Sequence, residues 1–147
     1  LTNLNEYLHL SPTSPKQTKW GEHTLNALGV GAGTLGIPGD FASVSRFVRI
    51  AYIRSHMPKI EGDVQAITQF FHMLDYVKMV KGGVLTDEGS EDLTTYSSCM
   101  DQEKGIYYYK TYENNRINAI SMHKEQLEGT NLKFFKYLTN QDINYQN

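Results

Sequence analysis

The sequence predicts an α+β fold in which two helices precede an antiparallel sheet. Apolar residues recur at helical spacing over residues 44–77. The pattern then switches to short runs rich in Thr, Tyr and Ile over residues 92–123. Glycine, proline and asparagine punctuate the joints between these stretches.

Taken in order, Leu1–Leu10 holds apolar residues at Leu4, Tyr7 and Leu8, enough for one short helix at best. Ser11-Pro12-Thr13-Ser14-Pro15-Lys16-Gln17 is loop chemistry. Residues 11–28 carry little periodicity. So long a structureless segment is either functional or packed on another surface. Trp20 within it marks a contact surface, being a large aromatic among polar neighbours. Pro38-Gly39 suits the centre of a type II turn, with glycine supplying the positive φ. Asp40 or Ser43 is placed to cap the helix that follows.

That helix shows Val44, Phe47, Val48, Ala51 and Tyr52 at i, i+3, i+4, i+7 and i+8, and Pro58 marks its end. A second helix sets Val64, Ile67, Phe70, Phe71, Leu74 and Val77 on one face, with Gly82-Gly83 as its stop. Leu93–Met100, Gly105–Tyr112 and Ile117–Met122 then read as three strands of a meander. Asp101–Lys104 forms the first turn, and Asn114-Asn115 suits a two-residue type I′ turn. The tail holds one amphipathic piece, Leu132–Leu138. No internal repeat is present, and the helices are expected on one face of the sheet.

A chain of 147 residues is long enough to bury a core as one domain. Fourteen basic residues face sixteen acidic ones, so neither nucleic acid nor an anionic membrane is expected as an obligate partner. The single cysteine excludes an internal disulfide and fits a reducing compartment such as the cytoplasm. No apolar run is long enough to cross a bilayer. The first residues lack the basic head and apolar stretch of a signal peptide. Because the first residue is Leu1 rather than Met, a fragment or a processed product is expected.

Several motifs invite chemistry. Gly31-Ala32-Gly33-Thr34-Leu35-Gly36 matches the dinucleotide pattern, but Ile37-Pro38-Gly39 blocks an immediate helix and no βαβ unit surrounds it. A backbone squeezed between packed layers is the better reading. His9, His23, His56, His72 and His123 include no pair at i, i+3 or i+4, so no zinc spacing exists and no metal is expected. No Gly-x-Ser-x-Gly elbow occurs. Cys99 lies mid-strand with no base nearby in sequence, which favours a buried structural thiol over a nucleophile. Arg46 falls opposite the Val44–Val48–Ala51–Tyr52 stripe, with Ile50 and Ile53 beside it. A helix apolar on two sides is expected to lie between layers. Arg46 is then either a structural ion pair or a guanidinium placed to hold a thiolate or a developing charge. Arg49 and Arg54 fall at intermediate angles and are expected as rim charges.

Three stretches carry a family resemblance. They are Gly36–Arg49, Phe70-Phe71-His72-Met73-Leu74, and Tyr96-Ser97-Ser98-Cys99 followed by Lys104–Tyr112. They resemble signature segments of bile salt (choloylglycine) hydrolases and penicillin V acylases, which are N-terminal-nucleophile hydrolases. The likeness runs from Leu1-Thr2-Asn3-Leu4 to about Gly129. It implies that residues 1–147 are the C-terminal portion of one αββα four-layer sandwich domain. Residues 11–28 would be its assembly loop, 40–82 a two-helix layer and 92–123 part of a sheet. The implied reaction is hydrolysis of the amide of a glycine- or taurine-conjugated bile salt, or of penicillin V, without a cofactor. The implied nucleophile is an N-terminal cysteine, whose free α-amine titrates near pH 8 and can serve as its base. Cys99 has an amide nitrogen and cannot take that role. One family active-site residue carries over, Arg46, the first Arg of Ser-Arg-Phe-Val-Arg. The expected partners are the N-terminal half of the same protein and further copies in a homotetramer. By itself this chain is expected to be inactive.

Overall fold

The computed structural model describes residues 2–147. Helices and antiparallel strands are segregated along the chain, as an α+β fold requires. Two compact units are formed, residues 1–59 and 60–147.

The first unit opens with a 3-10 helix at Thr2–Tyr7. Where residues 11–28 read as irregular, the chain forms a two-stranded ribbon, β1 (Thr18–Trp20) and β2 (His23–Leu25). Trp20 pairs with His23, leaving Gly21-Glu22 as a two-residue turn. Gly21 has φ +60° and Glu22 does not have a positive φ, the pattern of a type II′ hairpin. All six strand residues are exposed, so no alternation of apolar and polar residues betrayed the ribbon in the sequence.

The type II turn sits three residues earlier than expected. The amide of Ile37 donates to the carbonyl of Thr34 at 3.1 Å. Leu35 has φ −57° and ψ 130°, and Gly36 has φ +92°. Those are the two central positions of a type II turn, and Gly39 has no positive φ. Helix α1 (Ser43–His56) follows. It has no Gly or Pro in its interior, and Met57 turns extended immediately before Pro58. Val48 is 1% exposed, and Val48, Ala51 and Tyr52 share a groove with Leu4, Tyr7 and Leu8 of the N-terminal segment. Val44 and Phe47 are exposed.

The second unit opens with α2 (Asp63–Asp75). It ends well before Gly82-Gly83, which corrects the expected stop. Bonds from Val77 to Leu74 and from Lys78 to Asp75 tighten the last turn. Met79 then leaves the helix because both its backbone groups bind Thr94: its amide meets the hydroxyl at 2.9 Å and its carbonyl the amide at 3.1 Å. Strands β3 (Tyr96–Asp101), β4 (Ile106–Thr111) and β5 (Asn118–Ser121) form an antiparallel meander in the order β3-β4-β5. Cys99 pairs with Tyr108, and Tyr108 with Ala119. Helix α2 packs against β3.

The β4–β5 connection is longer than a two-residue Asn-Asn turn, because neither asparagine adopts a positive φ. Asn114 is instead buried. Its amide donates to the Thr111 hydroxyl at 3.1 Å, and its side-chain oxygen accepts from the Arg116 amide at 2.9 Å. The tail from 132 onward forms no regular helix or strand. It is tied to the connector by Thr111 donating to the Leu138 carbonyl at 2.6 Å and by an Arg116–Asp142 ion pair. The buried apolar side chains among the described residues are Val48, Phe71, Met73 and Met79. That is a small core for a chain of this length, and many large apolar side chains remain exposed.

Candidate active site

Arg46 stands in the first turn of α1, where its amide donates to the carbonyl of Ala42 at 3.0 Å. The side chain is half-buried, as are Ile50 and Ile53 beside it. The Nε–H of Arg46 is buried and has no hydrogen-bond partner among the described residues. A buried guanidinium donor with no acceptor is costly, so native structures supply one. Tyr52, six residues on, has a hydroxyl in the same condition. Its role in the apolar stripe hid that hydroxyl from a reading of periodicity.

Arg49 is not a rim charge. It is 5% exposed, and its Nη1 donates to the carbonyls of Pro38 at 2.9 Å and Asp40 at 2.6 Å. Arg54 is exposed, as expected. Asp40 does not cap α1 directly, and neither does Ser43: the N-cap position is Ala42. Asp40 works from two residues further back. One carboxylate oxygen accepts the Ala42 amide at 2.8 Å, and the other accepts the Ser45 hydroxyl at 2.7 Å. The Ser45 hydroxyl and the Ala42 amide hold this carboxyl below its usual range. The sequence signalled a cap near here, but two backbone carbonyls as arginine acceptors leave no side-chain signature.

The remaining candidates separate from this cluster. Cys99 is a half-buried free thiol in β3, pushed up by desolvation and then by the nearby Asp101 charge. It is a poor thiolate at neutral pH. The glycine-rich run has no dinucleotide geometry: Ala32–Thr34 is a single 3-10 turn, and the strand before it, β2, belongs to an antiparallel ribbon rather than a βαβ unit. Gly33 is needed for close approach, since an added Cβ would lie 2.1 Å from the Thr13 carbonyl oxygen. No group of three His, Cys, Asp or Glu side chains able to hold a metal occurs among the described residues. The ring of His56 instead donates to the Tyr52 carbonyl at 2.9 Å, and that of His9 bonds the Leu35 carbonyl at 3.2 Å. An apolar groove of about 780 Å³ lies beside the β1–β2 ribbon, lined by Trp20, Leu25, Leu28 and Val30. Arg46 does not line it.

Comparison with known proteins converges on one class. A family model described as linear amide C–N hydrolases, choloylglycine hydrolase family, matches residues 1–135. The chain is 48% identical over its whole length to a bile salt hydrolase/transferase of Clostridium perfringens, covering 45% of that protein. It is 40% identical over 90% of its length to a bile salt hydrolase/transferase of Lactiplantibacillus plantarum, covering 41% of that protein. A solved structure of a cysteine-to-alanine mutant of conjugated bile acid hydrolase from Clostridium perfringens superposes with a TM-score of 0.91 and 49% identity, over 99% of this chain and 44% of that one. Penicillin V acylase from Agrobacterium tumefaciens superposes with a TM-score of 0.54 and 26% identity, over 63% of this chain and 29% of that one. The chain thus spans less than half the length of these relatives.

Proposed function

Because the chain belongs to the choloylglycine hydrolase family of linear amide C–N hydrolases, we propose that the intact protein hydrolyses the amide of glycine- or taurine-conjugated bile salts. The nucleophile is an N-terminal cysteine on polypeptide outside this chain. Its thiolate adds to the amide carbon, and its α-amine relays the proton to the leaving nitrogen. The C–N bond breaks, glycine or taurine departs, and water then cleaves the thioester to release the bile acid. Arg46 supplies positive charge to the thiolate and to the negative charge that develops on attack.

The buried, unpartnered Nε–H of Arg46 carries this reading. A charged donor held on a helix without an acceptor is what a site looks like when its anion comes from elsewhere. Higher identity to the bile acid hydrolase than to the penicillin V acylase favours the conjugated bile salt as substrate. Residues 1–147 form part of a single αββα domain in this proposal, with residues 11–28 as an assembly contact in a homotetramer. The 72% exposure of Trp20 on the ribbon supports that contact. A cytoplasmic location fits the one free cysteine. No helix among the described residues is long and apolar enough to cross a membrane.

The test uses the full-length enzyme and Arg46→Ala, with amine release followed from glycocholate, taurocholate and penicillin V. The expected result is turnover of the bile salts above that of penicillin V, and a loss of kcat on the order of 10²–10³-fold in the variant. Preferential turnover of penicillin V would reassign the substrate. Wild-type turnover by the variant would remove Arg46 from the chemistry.

A further inference from the structure

Five hydrogen bonds tie the helix around Arg46 to the loop before α1. The amide of Arg46 hangs on the carbonyl of Ala42 at 3.0 Å. The amide of Ala42 hangs on Asp40 Oδ1 at 2.8 Å. Asp40 Oδ2 accepts the hydroxyl of Ser45, the residue before Arg46, at 2.7 Å. The carbonyl of Asp40 is gripped by Arg49 Nη1 at 2.6 Å, and the same nitrogen reaches the Pro38 carbonyl at 2.9 Å. Arg49 lies one turn beyond Arg46 on the same helix and is buried. The loop is therefore pinned to the helix on both sides of Arg46.

Helix N-termini fray when their first amides lack acceptors. Ala42, at the N-cap position of α1, makes no side-chain capping hydrogen bond. Its first turn is ordered by Asp40 from outside the helix. A long guanidinium aimed at a reacting charge is sensitive to such fraying, since misplacement by about 1 Å can cost on the order of 10²-fold in rate.

From this arrangement we infer that Asp40 and Arg49 are positioning residues, a clamp that fixes the first turn of α1 and with it the reach of Arg46. The inference rests on the proposed role of Arg46. Neither residue needs to touch substrate. The carboxylate of Asp40 works as a two-oxygen acceptor, and the guanidinium of Arg49 bridges two carbonyls through Nη1, held in a rigid plane that a Lys ammonium on its flexible stem lacks. Asp40 stays ionised through the working range, because its hydrogen bonds lower its pKa.

Six full-length variants test the clamp: Asp40→Ala, Asp40→Asn, Arg49→Lys, Arg46→Ala, Arg46→Lys and the double variant Arg46→Lys with Asp40→Ala. Steady-state kcat and KM are measured on glycocholate, with thermal melting in parallel. Asp40→Ala and Arg49→Lys should lower kcat by about 10- to 100-fold with KM little changed. Asp40→Asn should recover most of the loss, because its amide oxygen still accepts from Ala42. In the Arg46→Lys background the Asp40→Ala change should cost little more, since the group it positions is already wrong. Independent multiplication of the two losses would overturn the clamp and leave Asp40 a fold residue. So would wild-type kcat in folded Asp40→Ala. If Arg49→Lys fails to fold, the exposed Asp40 variants carry the test alone. Wild-type turnover by Arg46→Ala would overturn the underlying reading and the clamp with it, whereas impairment of Arg46→Ala and Arg46→Lys without loss in Asp40→Ala would overturn the clamp alone.

Discussion

Lys110 and Asp75 show how single residues of this chain settle a buried charge. The Lys110 ammonium is 2.6 Å from Asp75 Oδ2, with its side chain 9% exposed and that of Asp75 38% exposed. It also lies 5.4 Å from the centre of the Phe71 ring. Removing the carboxylate strands a buried cation, whereas removing both charges need not cost anything. Asp75→Ala should therefore destabilise the full-length protein by roughly 1–3 kcal/mol, discounted for the exposure of the acid. Lys110→Met, which fills the space under Phe71, should stay within about 1 kcal/mol of wild type. Denaturant midpoints decide between them, and equal losses would show that the charge itself matters less than the packing. Asp40 follows the opposite sign from a thiol. Its folded pKa is lowered, so its contribution is complete above the ordinary carboxylate pKa and is lost as pH falls through the folded value. Any acid limb of activity above about pH 5 must then come from another group. Cys99 has a raised pKa, so the unfolded chain ionises first, and stability falls as pH climbs past the ordinary thiol range. At this scale the sequence pointed to Arg46, because Ile50 and Ile53 at helical spacing put it on a second apolar side, opposite the Val44–Val48–Ala51–Tyr52 stripe. Arg49 and Tyr52 stayed hidden, since what makes each notable is a backbone acceptor or its lack.

The elements divide by what kind of signal specifies them. Both helices and all three meander strands were legible, because burial on one side imposes a period on the residue types. Their ends were less so. α2 stops where Thr94, nineteen residues beyond Asp75 in the numbering, captures Met79, and no local residue announces that bond. The ribbon at residues 18–25 was missed because neither of its strands buries anything, although Gly21-Glu22 was a turn signal in hindsight. The type II turn was placed on Pro38-Gly39 by composition, while the backbone uses Leu35-Gly36. This yields a clean contrast. Gly39 has open space where a Cβ would go and no positive φ, so Gly39→Ala should be neutral or slightly stabilising. Gly36→Ala must hold alanine at φ +92°, and should cost about 1–2 kcal/mol. Thermal melting of the two variants checks this, and the reverse ranking would put the turn back at residue 39. Gly33→Ala should be worse than either, because its Cβ would collide with two carbonyl oxygens of the Ser11–Thr13 loop.

At the scale of the molecule, the apolar surface left uncovered connects the fold to the proposed chemistry. Only four apolar side chains are buried among the described residues, while Val44 and Phe47 on α1 and Val64 and Phe70 on α2 remain exposed. Large exposed apolar faces of this kind mark surfaces that pack on other polypeptide. The chain spans about 45% of the Clostridium perfringens bile salt hydrolase/transferase that it matches along its whole length. In the proposed intact enzyme, the remainder covers these faces and brings the cysteine to Arg46. The resemblance was legible because its signature segments lie in this chain, whereas the cysteine proposed as nucleophile lies outside it. The most direct measurement is the titration of the nucleophilic cysteine in full-length wild type and Arg46→Gln, by pH-dependent alkylation with peptide-resolved mass spectrometry. Cys99 is followed separately by its own peptide and should react only at higher pH. The expected result is an apparent pKa of the nucleophile higher by about 1–3 units in the variant, because the opposite charge that favours the thiolate is gone. Superimposable titration curves for the two proteins would contradict it.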